Sequence, residues 1–250
     1  MKEQYFQEYA HQLGRSMEFM VYGHAGKPVL AFPSQNGRFF DFYNNGMVGC
    51  VAHLIDQGRI QIFACDSIDA ESWSDENGDG RHRALMQERY FHYISDELAP
   101  RILEINQHDS GVRASGILTT GCSLGGTHAL NTMLRNPYTF DATVALSGLY
   151  DAKYFFGGYF DDLVYLNSPV DYIQGMPNDH PYVAQYRKCR IVTCVGQGPW
   201  EGEMLPSNYR MKELFGYKGV DAWCDFWGYD VAHDWPWWRV QLSYFLEKMV

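Results

Sequence analysis

The side chain in this sequence best placed to do chemistry is Ser123, in the run Gly121-Cys122-Ser123-Leu124-Gly125-Gly126. The run has the form G-x-S-x-G. It follows the apolar stretch Gly116-Ile117-Leu118-Thr119-Thr120-Gly121 and precedes the helical run Thr127 to Leu134. A serine on such a strand-to-helix turn is held in a strained backbone conformation with its hydroxyl raised above the sheet, while the flanking glycines let strand and helix pass closely. The helix N-terminus then faces the charge that develops on an attacked carbonyl oxygen, and the Leu124 N–H can donate to it. Because Gly and Ser are common in ordinary turns, the motif gains its meaning from partners elsewhere in the chain.

A hydroxyl is a poor nucleophile near neutral pH and needs a general base, itself oriented by a carboxylate. With this turn the chain order is serine, acid, histidine. Beyond Ser123 the histidines are His128, His180 and His233. His128 falls within the helix after the turn, and His180 lies in a Pro-rich loop ahead of the last strand. His233 follows the apolar run Ala222 to Trp227 and precedes a C-terminal helix, where the base is expected. Glu201, in Val195-Gly196-Gln197-Gly198-Pro199-Trp200-Glu201, leaves a strand for a loop and is the chosen acid. Glu203 is a close rival, and Asp221, Asp225, Asp230 and Asp234 stay open because spacing does not fix loop geometry. The chemistry expected of such a triad is attack on an ester carbonyl, a covalent acyl intermediate and its release by water, with no metal or organic cofactor. The same triad serves an acyltransferase or a thioesterase, and a non-catalytic binding module is the reading outside catalysis.

Around these residues, short apolar runs bounded by turn residues alternate with helical stretches. Glu18–His24 and Val29–Pro33 read as strands forming an opening hairpin around Gly26-Lys27-Pro28. Asp41 to Gln57 is helical in character, Ile60–Cys65 is a strand, and Glu88 to Asn106 has long helical periodicity. Gly116–Gly121, Ala142–Ser147 and Arg190–Val195 are further buried strands. Strands alternating with helices predict an α/β fold with a mostly parallel sheet covered on both faces. The chain is expected to form one domain, residues 1–250, with an insertion at about 150–181 that could help cover a pocket.

With Ser123, Glu201 and His233 assigned, the chain resembles the esterase family that includes esterase D, the S-formylglutathione hydrolase, and the secreted mycolyltransferases. The resemblance runs over nearly the whole chain. It rests on Gly121–Gly126, on Gln197-Gly198-x-x-Glu201, with Glu where esterase D has Asp, and on His233-Asp234-Trp235 leading into Trp238. It implies an α/β-hydrolase fold and a serine esterase acting on a small-molecule ester. It also implies that the loop Phe32-Pro33-Ser34-Gln35-Asn36-Gly37 supplies a second oxyanion donor, from the Asn36 or Gln35 N–H, although the family's usual Gly-Leu pair is absent. The segment Asp66 to Trp73 likewise looks like a family segment whose Trp lies near the active-site entrance.

Composition narrows the partners. A net charge of -10 and a pI near 5.3 oppose a phosphate-binding surface, so nucleic acid is not expected. No stretch reaches the roughly 20 apolar residues a membrane helix needs, and Met1 to Glu8 offers no signal-peptide core. A soluble, cytoplasmic protein is expected. The six cysteines contain no CxxC pair and read as core thiols. Asp75-Glu76-Asn77-Gly78-Asp79-Gly80 opens like a calcium loop, but its closing position holds Met86 in place of Glu, so it reads as an exposed acidic turn. The aromatic residues Trp235, Trp237 and Trp238 beside His233 hint at a substrate platform, though packing usually explains such clusters.

Overall fold

The computed structural model describes residues 1–250. Eight strands form one sheet: β1 (Glu3–Ala10), β2 (Arg15–Tyr22), β3 (Lys27–Phe32), β4 (Ile60–Cys65), β5 (Ile117–Cys122), β6 (Phe140–Leu146), β7 (Arg190–Val195) and β8 (Ala222–Phe226). Their spatial order is β1-β2-β4-β3-β5-β6-β7-β8. The pairs β1–β2 and β2–β4 are antiparallel; every pair from β4 to β8 is parallel.

The opening hairpin differs from the expected one. β2 does pair with a strand across a tight turn, but the partner is β1, with Gly14 at φ 66° closing the turn through its N–H to the Ala10 carbonyl. β4 lies between β2 and β3, so the two segments expected to pair never touch as strands. β1 escaped the sequence reading because its polar edge-strand composition, Glu3-Gln4-Tyr5-Phe6-Gln7-Glu8, hides the alternation. Only Phe6 and Ala10 turn apolar surface inward, Phe6 stacking on Phe19 at 4.9 Å.

The central parallel strands are buried on both faces, mostly by apolar residues, with Gln61 and the threonines Thr119, Thr120, Thr143 and Thr193 as buried polar exceptions. Leu30, Phe32, Ile117 and Ile191 point to one layer, while their neighbours Val29, Ala31, Leu118 and Val192 point to the other. On the first layer lie Gly80–His92, Ala99–Ser110, the elbow helix Leu124–Arg135 and Leu205–Lys218. The second is covered by the C-terminal helix Trp235–Met249, whose stripe Trp238, Leu242, Phe245, Leu246 and Met249 repeats at helical spacing. Between Gly80 and Ser110 a π-helical turn, Tyr93–Leu98, interrupts the expected continuous helix. The stretch from Asp41 to Gln57 is likewise broken into short turns around Gly46 and Gly49.

The segment expected as an insertion holds three short helices, Lys153–Phe156, Asp162–Leu166 and Pro169–Gly175, and ends where a fourth, Pro181–Tyr186, begins. The acidic turn has a local use: Asp79 caps Gly80–His92 by accepting from the His82 N–H at 2.8 Å. All six cysteines are free thiols. No helix is long and apolar enough to cross a membrane.

Candidate active site

The site forms at the carboxyl ends of the parallel strands, where loops from neighbouring strands converge. Ser123 immediately follows β5 and has φ 59° and ψ −127°, a left-handed-side conformation that costs energy for any residue with a side chain. Backbone crowding explains the glycines around it. A Cβ on Gly121 would sit 2.3 Å from the Gly125 carbonyl oxygen, one on Gly125 2.4 Å from that of Pro33, and one on Gly126 2.5 Å from that of Leu146. The Ser123 N–H donates to the Leu146 carbonyl at 2.9 Å, which ties the elbow to the end of β6.

Glu201 and His233 reach this serine from the loops after β7 and β8. Those loops zip together through backbone: Gly198 N–H to the Val231 carbonyl at 2.9 Å, and His233 N–H to that of Pro199 at 3.0 Å. Side chains at Gly196 or Gly198 would prevent this, because a Cβ on either would lie within 2.7 Å of the Val231 carbonyl oxygen. His233 Nε2 lies 2.9 Å from Ser123 Oγ, and His233 Nδ1 lies 3.0 Å from Glu201 Oε2. The Glu201 side chain is fully buried, whereas that of His233 is 14% exposed. The other carboxylate oxygen accepts from the Ser147 hydroxyl at 2.6 Å and the Gly196 N–H at 3.2 Å.

Ser147 was not picked out from the sequence. Its hydroxyl also accepts from Trp238 Nε1 at 2.9 Å, and the Trp238 ring meets the His233 ring edge-on at 4.9 Å. The C-terminal helix thereby braces both acid and imidazole. No sequence signal marks Ser147 beyond its place at the end of a buried strand.

The remaining candidates are engaged elsewhere. Glu203 is exposed and accepts from the Tyr154 hydroxyl. Asp225 accepts from Trp227 Nε1 at 3.1 Å, Asp234 caps the C-terminal helix, and Asp221 and Asp230 are exposed. His180 caps Pro181–Tyr186 by accepting from the Tyr182 N–H. His128 is buried with its Nε2 2.9 Å from Asp69 Oδ1. Asp69 Oδ2 in turn accepts from the Asn36 N–H at 3.1 Å, and Asn36 holds φ 57°. Of the candidate oxyanion amides, Asn36 is therefore spent on Asp69, while the N–H groups of Gln35 and Leu124 have no acceptor within the protein.

A family model described as "Putative esterase" matches residues 10–249. The chain belongs to that family. No curated protein matches it by sequence. Among solved structures it is similar to a ferulic acid esterase, with 16% identity, a TM-score of 0.74, and coverage of 100% of this chain and 99% of that one. It also resembles an S-formylglutathione hydrolase from Agrobacterium tumefaciens, at 14% identity, TM-score 0.71, covering 98% and 93%. A third likeness is to MPT51 (FbpC1) of Mycobacterium tuberculosis, at 14% identity, TM-score 0.70, covering 100% and 98%. At such identities the structural likeness establishes the fold, which is the α/β-hydrolase fold. Family membership makes the protein an ester-hydrolysing enzyme.

Proposed function

We propose that the enzyme is a serine carboxylic-ester hydrolase whose triad is Ser123, His233 and Glu201. The observation that carries the reading is the unbroken chain of contacts from Ser123 Oγ through the imidazole to the buried Glu201 carboxylate, at 2.9 and 3.0 Å. In this reading His233 Nδ1–H donates to Glu201, which leaves Nε2 to accept the Ser123 proton as Oγ attacks the ester carbonyl. Glu201 stays ionised and stabilises the imidazolium that forms. Its buried carboxylate is suited to this because Ser147 and Gly196 satisfy the second oxygen.

The oxyanion of the tetrahedral intermediate would lie between the N–H groups of Leu124 and Gln35, the two amides of the expected set that are free to donate. His233 then gives its proton to the leaving alkoxide, and the acyl group remains on Ser123. Water, deprotonated by the same imidazole, attacks the acyl-enzyme and releases the acid. Every step uses side chains and amides of this chain. We read residues 1–250 as a single catalytic unit, with the segment at about 150–181 covering part of the site, and the six free thiols fit a reducing, cytoplasmic setting.

Incubation with a fluorophosphonate probe followed by peptide mapping tests the assignment. An adduct on Ser123 is expected; an adduct elsewhere, or none, overturns it.

A further inference from the structure

Arg83 is the one arginine that the fold buries, with 4% of its surface exposed. Other arginines of this chain meet carboxylates: Arg15 meets Glu71, Arg38 meets Asp66, Arg81 meets Asp161 and Arg135 meets Glu88. Arg83 meets none within 4.0 Å. Its Nε donates to the Ser72 carbonyl at 2.9 Å, and Nη2 donates to those of Trp73 and Phe155 at 2.8 and 2.9 Å. The Phe156 ring lies against the guanidinium, 4.7 Å from its central carbon.

These contacts account for Nε and Nη2 as a strut between the Trp73 loop and the Lys153–Phe156 helix. They leave Nη1 without a partner. That nitrogen is not sealed in, since the fully enclosed unpaired polar atoms of the protein belong to other residues. Arg83 forms part of the wall of a cavity of about 380 Å³ shared with Gln35, Trp73, Tyr154 and Phe155. Gln35 carries one of the two free amides near the elbow. Leu124, which carries the other, packs in the same apolar cluster as Trp73 and Phe156. The cavity therefore includes the residue of one proposed oxyanion donor, Gln35, and shares the Trp73 and Phe156 wall against which Leu124 packs. A larger hollow of about 470 Å³ nearby is a weaker candidate, because its Lys153 and Arg210 are already paired with Asp171 and Glu213.

A buried cation held by three carbonyls and one ring face, with Asp75 and Glu76 acting on it only from beyond 4.0 Å, is an expensive arrangement, and an ionised ligand group in direct contact relieves it. A guanidinium with two free N–H bonds on one nitrogen matches a carboxylate oxygen better than a hydroxyl or a carbonyl. We propose that this cavity is a substrate subsite, and that the preferred esters carry a carboxylate on one arm, received by Arg83 Nη1 while Trp73 and Phe155 flank the arm's apolar length. The proposal deepens the serine-esterase reading and rests on it. Exposed Glu76 also lines the cavity and opposes the incoming anion without contacting the guanidinium.

The test measures kcat/KM on two matched pairs of esters. One pair places the charge on the acyl arm: the mono-p-nitrophenyl ester of suberic acid against p-nitrophenyl octanoate. The other places it on the alcohol arm: the acetate ester of 6-hydroxyhexanoic acid against hexyl acetate. In the wild-type enzyme the charged member of one pair should be favoured by about tenfold or more, the size of a charge-assisted hydrogen bond. Arg83→Gln should bring that ratio to about one, Arg83→Lys should keep part of it, and Glu76→Gln should raise it. A wild-type ratio at or below one in both pairs overturns the proposal, as does a ratio unchanged in Arg83→Gln. The Glu76→Gln arm keeps the test informative if the Arg83 variants fold poorly, because a ratio that does not rise there also counts against the subsite. Cleavage of the neutral esters without charge preference refutes the subsite alone, whereas failure to cleave any of the four, with Ser123 unlabelled by fluorophosphonate, refutes the esterase mechanism beneath it.

Discussion

Two histidine–carboxylate pairs sit within this molecule at nearly the same separation, His233–Glu201 at 3.0 Å and His128–Asp69 at 2.9 Å. Both carboxylates are buried. The difference lies in what surrounds them. The second nitrogen of His233 faces the Ser123 hydroxyl, and its ring keeps an edge toward solvent. The His128 ring is enclosed by Phe32, Trp73 and Tyr90, and the second oxygen of Asp69 holds the Asn36 amide. Like pairs at nearly the same distance thus have different chemical prospects: in the proposed mechanism a proton acceptor aimed at a nucleophile, and in the other case a clamp on the loop after β3. Pairing alone does not mark a catalytic histidine; access to a third reacting group does.

The largest expected effects separate the pairs most sharply. Ser123→Ala and His233→Ala should each lower kcat by about 10⁴-fold or more in p-nitrophenyl ester hydrolysis, with far-UV circular dichroism unchanged. An active His233→Ala enzyme would leave His233 no more catalytic than His128. Next, Glu201→Gln should reduce kcat by about 10³- to 10⁴-fold, because an amide can present its N–H to Nδ1 and favour the wrong tautomer. If instead Asp69→Asn matched that loss, the two pairs would have been assigned the wrong way round.

Smaller effects sharpen the role of the clamp. His128→Leu leaves Asp69 as a buried carboxylate without its imidazole, at a cost of about 3–5 kcal/mol. In a chain of this length that corresponds to a fall of about 10 °C in Tm, measurable by calorimetry. Asp69→Asn should lower kcat by about tenfold with KM little changed, since it loosens the loop that carries Gln35 and leaves the triad intact. A drop in Tm with kcat untouched would make the pair purely structural. The smallest effect is Trp238→Phe, which removes the donor to Ser147 while keeping the ring beside His233. Loss of one neutral hydrogen bond, about 1 kcal/mol, predicts about a fivefold fall in kcat.

Much of the site was legible because its constraints are local. Ser123 announces itself through its flanking glycines, whose Cβ atoms would collide with neighbouring backbone. The expected order of acid and base led to Glu201 and His233, which lie in the loops after β7 and β8. What escaped the sequence depends on pairings between distant segments. The runs that became β3, β4 and β5 are all buried on both faces, so no alternation in them says that β4 inserts between β2 and β3. The same blindness applies to Asn36, whose amide looked as available as that of Gln35 until Asp69 was seen to occupy it.

From its residues alone this chain determined the alternation of strands and helices, the strained serine turn and the types of group that could activate it, because periodicity and backbone sterics act over a few neighbouring positions. Only tertiary structure decided which carboxylate meets which imidazole, which amide stays free, and that Arg83 is buried with no carboxylate within 4.0 Å. Those outcomes depend on desolvation and on contacts between loops scores of residues apart, and no local pattern encodes them.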